Sequence, residues 1–189
     1  MITRIKINGF KSLIDVDLRF STFTCIAGAN AVGKSNLFDA LAFLARLADM
    51  EVMLAVSNSR GISSEEKNEK SIFYHNKEKY IDEISFEIDL IIPNFATDSL
   101  GEPAKTLVQY LRYCITLKLN EDTPWKLITI KKESLETLSN TETDGSTLPN
   151  RLIQFAPKKT KKSILISSDE NEGLVFIHEI GRASCKERV

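Results

Sequence analysis

The sequence predicts an α/β fold in which a glycine-rich loop leads into one helix and an antiparallel β-sheet makes up most of the remaining chain. Apolar residues recur at helical spacing after residue 34, whereas those of the second half alternate with polar residues, as in half-buried strands. The links between the alternating segments contain turn formers, as at residues 120–124. Such links favour an antiparallel meander over alternating strands and helices.

Composition sets the broad class. The chain has 189 residues, of which 42% are apolar and 27% are charged, so we expect one domain with a buried core and a small subdomain. With 25 basic and 26 acidic residues, the net charge of -1 provides no global positive field for nucleic acid. The three cysteines have no paired or metal-ligand spacing, and Cys25 lies in an apolar run that predicts a packed thiol. We expect a cytoplasmic protein without a membrane partner, because the sequence has neither a membrane-span pattern nor a signal-peptide pattern.

The first fifty residues predict three strands and a helix. Residues 2–7 and 14–20 alternate between apolar and charged side chains and are joined around Asn8 and Gly9. Residues 23–27 form a continuous apolar run, which is typical of a strand buried on both faces. Residues 34 to about 49 are predicted to form a helix. Its apolar stripe comprises Leu37, Leu41, Leu44 and Ala48, widened by Phe38, Ala42 and Ala45.

The remaining chain predicts a connector and several strands. Residues 57–80 are rich in Ser, Asn, Glu and Lys, and they are interpreted as a solvated insertion or a polar connector. Residues 84–90 and 111–119 alternate strictly and predict two half-buried strands. Further short strands are expected at residues 125–130, 151–155, 163–167 and 174–177.

The motif with the clearest chemistry is Gly-Ala-Asn-Ala-Val-Gly-Lys-Ser at residues 28–35, which matches the Walker A pattern in full. Gly28 and Gly33 allow a tight turn and a close backbone approach, so the amides of residues 30–35 can form a nest around phosphate oxygens. The helix that follows adds its unpaired amides and positive dipole end. The alternative is a glycine-rich turn that merely joins a strand to a helix, but the complete motif between both predicted elements favours phosphate binding.

Each residue of the motif has an expected role with ATP and Mg²⁺. Backbone amides, including those of Asn30, Ala31 and Val32, surround the phosphates. Lys34 reaches the β and γ phosphates, and the hydroxyl of Ser35 is the expected magnesium ligand. Asn36 is expected beside the α phosphate through its backbone.

The motif and the strand before it together resemble a family. Residues 5–12, Ile-Lys-Ile-Asn-Gly-Phe-Lys-Ser, and residues 28–40, which begin with the Walker A motif, are similar to the opening of ABC-type AAA ATPases of the SMC, RecF and OLD group. The resemblance implies a P-loop NTPase fold, namely the N-terminal lobe of an ABC-type head with a mixed or antiparallel β-sheet subdomain. It also implies that Asn30, Gly33, Lys34, Ser35 and Asn36 line the phosphates.

The resemblance extends to partners and to one further residue. It implies ATP held between two ATPase heads, with an engaged dimer that serves DNA repair, chromosome organisation or anti-phage defence, and with DNA and a nuclease module as further candidate partners. Lys11 is expected to approach the nucleotide from the first hairpin, and the alternative is an ordinary exposed hairpin lysine.

The sequence does not identify the other residues that hydrolysis needs: a strand-terminal Asp for magnesium, an adjacent Glu, a metal-sensing Gln and a signature helix. Residues 164–170 imitate the Asp-Glu pattern, but two serines interrupt the apolar run, which favours a hairpin bend. Gln154 is a single weak candidate for the sensor. His75 and His178 have no partners at ligand spacing and are expected on the surface. No catalytic residue is predicted.

Two other function classes stay open at this point. A P-loop kinase or GTPase would build its sheet from alternating parallel strands and helices, which the predicted meander disfavours. A non-hydrolysing module would use nucleotide only to organise a partner interface.

The last eleven residues, 179–189, resemble the translation of a common short-read sequencing adapter, except that Lys186 stands where the adapter encodes Arg. We therefore expect a non-native tail after a truncation near residue 178, the alternative being a natural basic tail. The predicted organisation is a P-loop lobe at residues 1–56, a polar connector at 57–80, the β-rich remainder of the lobe at 81–178 and the tail.

Overall fold

The computed structural model describes residues 1–62, 69–76, 81–93, 95–97, 103–105, 109–120, 127–138 and 164–169. Within these residues the chain is α/β, with a β-sheet on one side and helical segments on the other. The helical segments are α1 (Lys34–Asp49), α2 (Val52–Ser57) and a short 3₁₀ helix (Glu69–Ile72).

The described residues form one six-stranded sheet and one two-stranded sheet, and every strand pair is antiparallel. The order in the larger sheet is β2-β1-β3-β6-β7-β8. Its strands are β1 (Ile2–Asn8), β2 (Val16–Arg19), β3 (Glu83–Ile91), β6 (Tyr110–Leu119), β7 (Ile128–Thr137) and β8 (Ile164–Asp169). The smaller sheet pairs β4 (Phe95–Thr97) with β5 (Pro103–Lys105). The predicted antiparallel arrangement is thus confirmed.

The register of the large sheet separates an apolar face from a polar face. Ile5 pairs with Ile88, and Phe86 pairs with Ile115, so apolar side chains of neighbouring strands point to the same side. That side packs under the helices and forms the main core. On the opposite face the same register places charged residues beside each other, as with Asp89 and Arg112. The alternation seen in the sequence therefore fixes which side of each strand is buried.

Helix α1 has the bounds that the sequence predicts, but its buried face is rotated. The buried residues are Leu37, Ala40, Phe43 and Leu47, whereas Phe38 is 57% exposed. The ring of Phe43 lies 5.6 Å from that of Phe10 and 6.1 Å from that of Phe86, which sets the rotation. Apolar side chains occur around much of this helix, so periodicity alone does not select the arc that faces the sheet.

The prediction of a buried strand at residues 23–27 is wrong for the described structure. Phe23 is 84% exposed and Ile26 is 36% exposed, and the segment belongs to neither described sheet. Cys25 is exposed as well, so the prediction of a packed thiol is also wrong. An apolar run becomes a buried strand only when neighbouring strands satisfy its backbone groups, and among the described residues the large sheet ends at β2 on this side.

The solvated connector at residues 57–80 also needs correction. Ile72 and Phe73 are fully buried in the main core. The amide of Lys11 donates to the carbonyl of Ile72 at 2.7 Å, and the amide of Tyr74 donates to the carbonyl of Gly9 at 2.8 Å. These bonds tie the segment to the first hairpin, which its polar composition does not reveal.

Some elements of the structure were not predicted, and some predictions concern residues outside the described ranges. The sequence misses α2, β4 and β5, and β7 continues to Thr137, beyond the predicted end at residue 130. The predicted strands at 151–155 and 174–177, together with Gln154, His178 and the tail, lie outside the described residues. The division into domains stays a prediction. In the described ranges no helix combines the length and the apolar content needed to cross a membrane.

Candidate functional site

The Walker A residues form a turn that opens helix α1. Gly33 caps the helix with φ 96° and ψ 3°, and Ala31 also has a positive φ of 68°. The left-handed region is accessible to glycine at little cost, whereas alanine is strained there. A β-carbon on Gly33 would lie 3.2 Å from the hydroxyl of Ser12, so the turn lies close to the first hairpin and has little space for a side chain at this position.

The amino end of α1 is free for an anion. Gly33 provides no side-chain cap, and the first turn contains no acidic residue. The first intrahelical bond joins the amide of Leu37 to the carbonyl of Gly33 at 3.1 Å, so the amides before Leu37 have no partner within the helix. Residues 28–32 and Ser35 are exposed. A negatively charged group can therefore reach both these amides and the positive end of the helix dipole.

Lys34 lies across the loop rather than pointing away from it. Its ammonium group donates to the carbonyl of Gly28 at 2.6 Å and also to the carbonyl of Ala29. A β-carbon on Gly28 would lie 3.9 Å from Cδ of Lys34 and 3.3 Å from a methyl group of Val32. The tight neighbour of such a β-carbon is therefore Val32 rather than Lys34. The ammonium group of Lys34 places a positive charge against the backbone carbonyls of the loop.

The loop between β1 and β2 lies along α1. The carboxamide of Asn36 donates to the hydroxyl of Ser12 at 2.7 Å. The ammonium group of Lys11 lies 2.7 Å from Oδ2 of Asp39 and 2.8 Å from the carbonyl of Arg60. The side chain of Lys11 is 14% exposed, so the alternative of an ordinary exposed lysine is wrong. Its expected approach to a nucleotide stays a prediction.

Three residues near the loop were missed by the sequence analysis, namely Ser12, Asp39 and Arg60. The guanidinium group of Arg60 is paired with Asp39 at 3.0 Å, so Asp39 binds two cations. The only signal for Ser12 is its place beside Lys11 in the Gly-Phe-Lys-Ser phrase. Asp39 has no distinguishing signal, because one acidic residue on a helix is usually a solvated one.

The candidate residues for hydrolysis are not brought together in the described part of the chain. Strand β8 continues through Asp169, whose backbone pairs with Lys132, so the bend predicted there does not begin before residue 170. His75 is exposed, as expected. Among the described residues no three His, Cys, Asp or Glu side chains are grouped in a way that could hold a metal ion.

Two side chains of the sheet have raised pKa values because of their surroundings within it. The guanidinium group of Arg112 forms two hydrogen bonds with Asp89, at 2.7 and 3.0 Å, and these bonds raise the pKa of Arg112. Burial, and then the charge of Glu133, raise the pKa of Tyr113, whose hydroxyl donates to Glu133. In both pairs the polar side chains are hydrogen-bonded to each other within the sheet.

Comparison with known proteins identifies the family. A family model described as an AAA ATPase domain matches residues 1–180. No curated protein matches the chain. A solved structure from work on ATP-driven dimerization and DNA-stimulated activation of SMC ATPases is 20% identical, with a TM-score of 0.42; the match covers 71% of this chain and 67% of that one. The family match spans nearly the whole sequence and includes the Walker A loop, and the chain therefore belongs to the AAA ATPase domain family.

Proposed function

We propose that the chain binds ATP with Mg²⁺ at residues 28–36 and forms part of an ATPase head of the SMC, RecF and OLD type. The observation that carries the proposal is the geometry of the Walker A loop. Its left-handed turn at Gly33 opens a 16-residue helix without a side-chain cap, and Lys34 lies across the loop. These are the features that a phosphate cradle requires.

The residues have distinct roles in this proposal. The amides of Asn30, Ala31, Val32 and Gly33 surround the β phosphate, and the amides of the first helical turn face the remaining oxygens. Lys34 exchanges its contacts with two loop carbonyls for contacts with the β and γ phosphates. The exposed hydroxyl of Ser35 provides a ligand for Mg²⁺, which supplies charge neutralisation at the phosphates when it is bound.

We further propose that a second ATPase head covers the bound nucleotide. The support is that residues 28–32 are exposed, so that the side of the loop away from α1 is open to a partner. Head engagement would couple ATP binding to work on DNA, in DNA metabolism or anti-phage defence, with a nuclease module as an additional candidate partner. The antiparallel sheet counts against a P-loop kinase or GTPase, whose strands alternate with helices in a parallel sheet.

The role of Ser35 provides a test of the nucleotide site. The affinity for ATP is measured by titration calorimetry on the full-length protein, once with Mg²⁺ and once with EDTA. We expect Mg²⁺ to strengthen binding in the wild type and to have little effect in Ser35→Ala, because the metal loses its protein ligand. Ser57→Ala is the matched control, since that hydroxyl donates to the carbonyl of Leu54 in α2. A Ser35→Ala variant with unchanged magnesium dependence would contradict the assignment.

The engagement of two heads is tested separately. The molar mass of the full-length protein is measured by light scattering, with and without a non-hydrolysable ATP analogue and Mg²⁺. We expect the analogue to double the mass of the wild type but not that of Lys34→Ala. If the mass of the wild type does not respond to the analogue although calorimetry shows that it binds, the second-head proposal is wrong and the nucleotide site stands.

A further inference from the structure

The loop between β1 and β2 contacts α1 at three positions that lie on one side of the helix. Ser12 is bonded to Asn36 at 2.7 Å, Lys11 is bonded to Asp39 at 2.7 Å, and the ring of Phe10 lies 5.6 Å from that of Phe43. The three helix positions are separated by three and four residues, which places them in a row along the helix. The row begins in the first turn, where the Walker A amides are located.

This loop is held in one conformation by its own backbone. Gly9 has φ 85°, and a β-carbon there would lie 2.3 Å from the carbonyl oxygen of Glu83. The amide of Gly9 donates to the carbonyl of Leu13 at 3.0 Å, and that of Leu13 donates to the carbonyl of Phe10 at 2.7 Å. Phe10 itself is fully buried. Ser12 is therefore presented to α1 from a rigid support rather than from a mobile turn.

Ser12 is hydrogen-bonded to the third residue of α1 and lies close to the residue that caps the helix. Its hydroxyl accepts a hydrogen bond from the carboxamide of Asn36, and it lies 3.2 Å from the position of a β-carbon on Gly33. An Asn side chain near the start of a helix readily bonds to nearby backbone groups. Without a fixed partner, the carboxamide oxygen of Asn36 would compete for the amides that face the phosphates.

We propose that Ser12 is a positioning residue for the Walker A loop: it holds the carboxamide of Asn36 against the first hairpin and leaves the first-turn amides free for phosphate. The inference rests on the proposed nucleotide binding at residues 28–36. Ser12 does not touch the nucleotide in this account, because it acts through Asn36. Loss of its hydroxyl therefore weakens ATP binding only while the Asn36 carboxamide is present.

The test is a double-mutant cycle on the affinity of the full-length protein for ATP with Mg²⁺. The four proteins are the wild type, Ser12→Ala, Asn36→Ala and the double variant. We expect Ser12→Ala to weaken binding about three- to fivefold, the effect of one lost neutral hydrogen bond. We expect the same substitution to have no effect when it is made in Asn36→Ala. An effect of Ser12 that does not pass through Asn36 would be the same in both Asn36 backgrounds.

Two further variants make the outcomes distinguishable. Ser57→Ala loses a hydroxyl hydrogen bond in α2 and should bind ATP as the wild type does. Lys34→Ala should lose binding. If Lys34→Ala binds as well as the wild type, the proposed nucleotide site fails. If Lys34→Ala loses binding while Ser12→Ala has no effect, or has the same effect in both Asn36 backgrounds, the positioning role of Ser12 alone is overturned.

Discussion

Replacement of single glycines by alanine can lower stability in two ways: by placing alanine in the left-handed region, and by bringing the new β-carbon too close to neighbouring atoms. Gly61, Gly33 and Gly9 have similar φ values of 91°, 96° and 85°. A β-carbon on Gly61 meets nothing within 4 Å, on Gly33 it meets the Ser12 hydroxyl at 3.2 Å, and on Gly9 it meets the carbonyl oxygen of Glu83 at 2.3 Å. The three positions therefore form a series in which only the surroundings differ.

The expected losses follow from this geometry. Gly61→Ala should lower the free energy of unfolding by about 1 kcal/mol, the cost of a left-handed alanine. Gly33→Ala should cost about 1–2 kcal/mol, because the Ser12 hydroxyl also has to move by a few tenths of an ångström. Gly9→Ala should cost about 3 kcal/mol or more, because a strand carbonyl has to be displaced. In a chain of this length 1 kcal/mol corresponds to about 2–4 °C in Tm.

The assay is thermal unfolding followed by circular dichroism, together with calorimetric titration of ATP and Mg²⁺. We expect Tm to fall in the order Gly61→Ala, Gly33→Ala, Gly9→Ala. Of the first two variants, only Gly33→Ala should weaken ATP binding, because it changes the shape of the Walker A turn. Equal Tm losses at the three positions, or unchanged ATP affinity in Gly33→Ala, would refute the reasoning.

Two further predictions concern the polar face of the sheet. Arg112→Ala leaves the carboxylate of Asp89, whose side chain is 5% exposed, without its guanidinium partner, and it should lower the free energy of unfolding in urea by about 3 kcal/mol. Arg4→Ala should lower it by less than about 1 kcal/mol, because its partner Asp17 is 42% exposed. Similar losses in the two variants would contradict this difference. Burial and the charge of Glu133 raise the pKa of Tyr113 above its ordinary value of 10.0. As the pH rises past about 10, the unfolded chain releases the phenol proton before the folded chain does. The stability that the protonated Tyr113 contributes is therefore complete below about pH 10 and is lost at higher pH. Tyr113→Phe should therefore reduce the fall in unfolding free energy between about pH 10 and pH 11, by up to about 1.4 kcal/mol per pH unit, and an unchanged slope would show that the raised pKa is wrong.

Elements whose pattern is complete within a short segment were predictable. Helix α1 and the strands β1, β3 and β6 were located within one or two residues, because a period of 3.6 or 2 is a local property. The segment at 23–27 shows the limit of the same reasoning. Its apolar composition indicates what it could bury, but the neighbouring strands that would make it a buried strand are not determined by its own sequence.

The candidate site shows a similar division. The Walker A motif is contiguous, so its residues and the turn into α1 could be identified from spacing alone. The contacts that hold the first hairpin against α1 could not be identified in this way. The hydrogen bonds Ser12–Asn36 and Lys11–Asp39 join residues that are 24 and 28 positions apart. The contacts depend on how the first hairpin packs against α1, which is fixed by the burial of Phe10 against Phe43.

The central claim is that the loop at residues 28–36 binds the phosphates of ATP, and one calorimetric titration tests it most directly. ATP with Mg²⁺ is titrated into the full-length wild type, Lys34→Ala and the control Lys6→Ala, whose side chain is 44% exposed on the sheet. We predict that Lys34→Ala binds at least about tenfold more weakly, since a charge-assisted contact to phosphate is lost, and that Lys6→Ala binds as the wild type does. Equal affinity of the wild type and Lys34→Ala would contradict the claim.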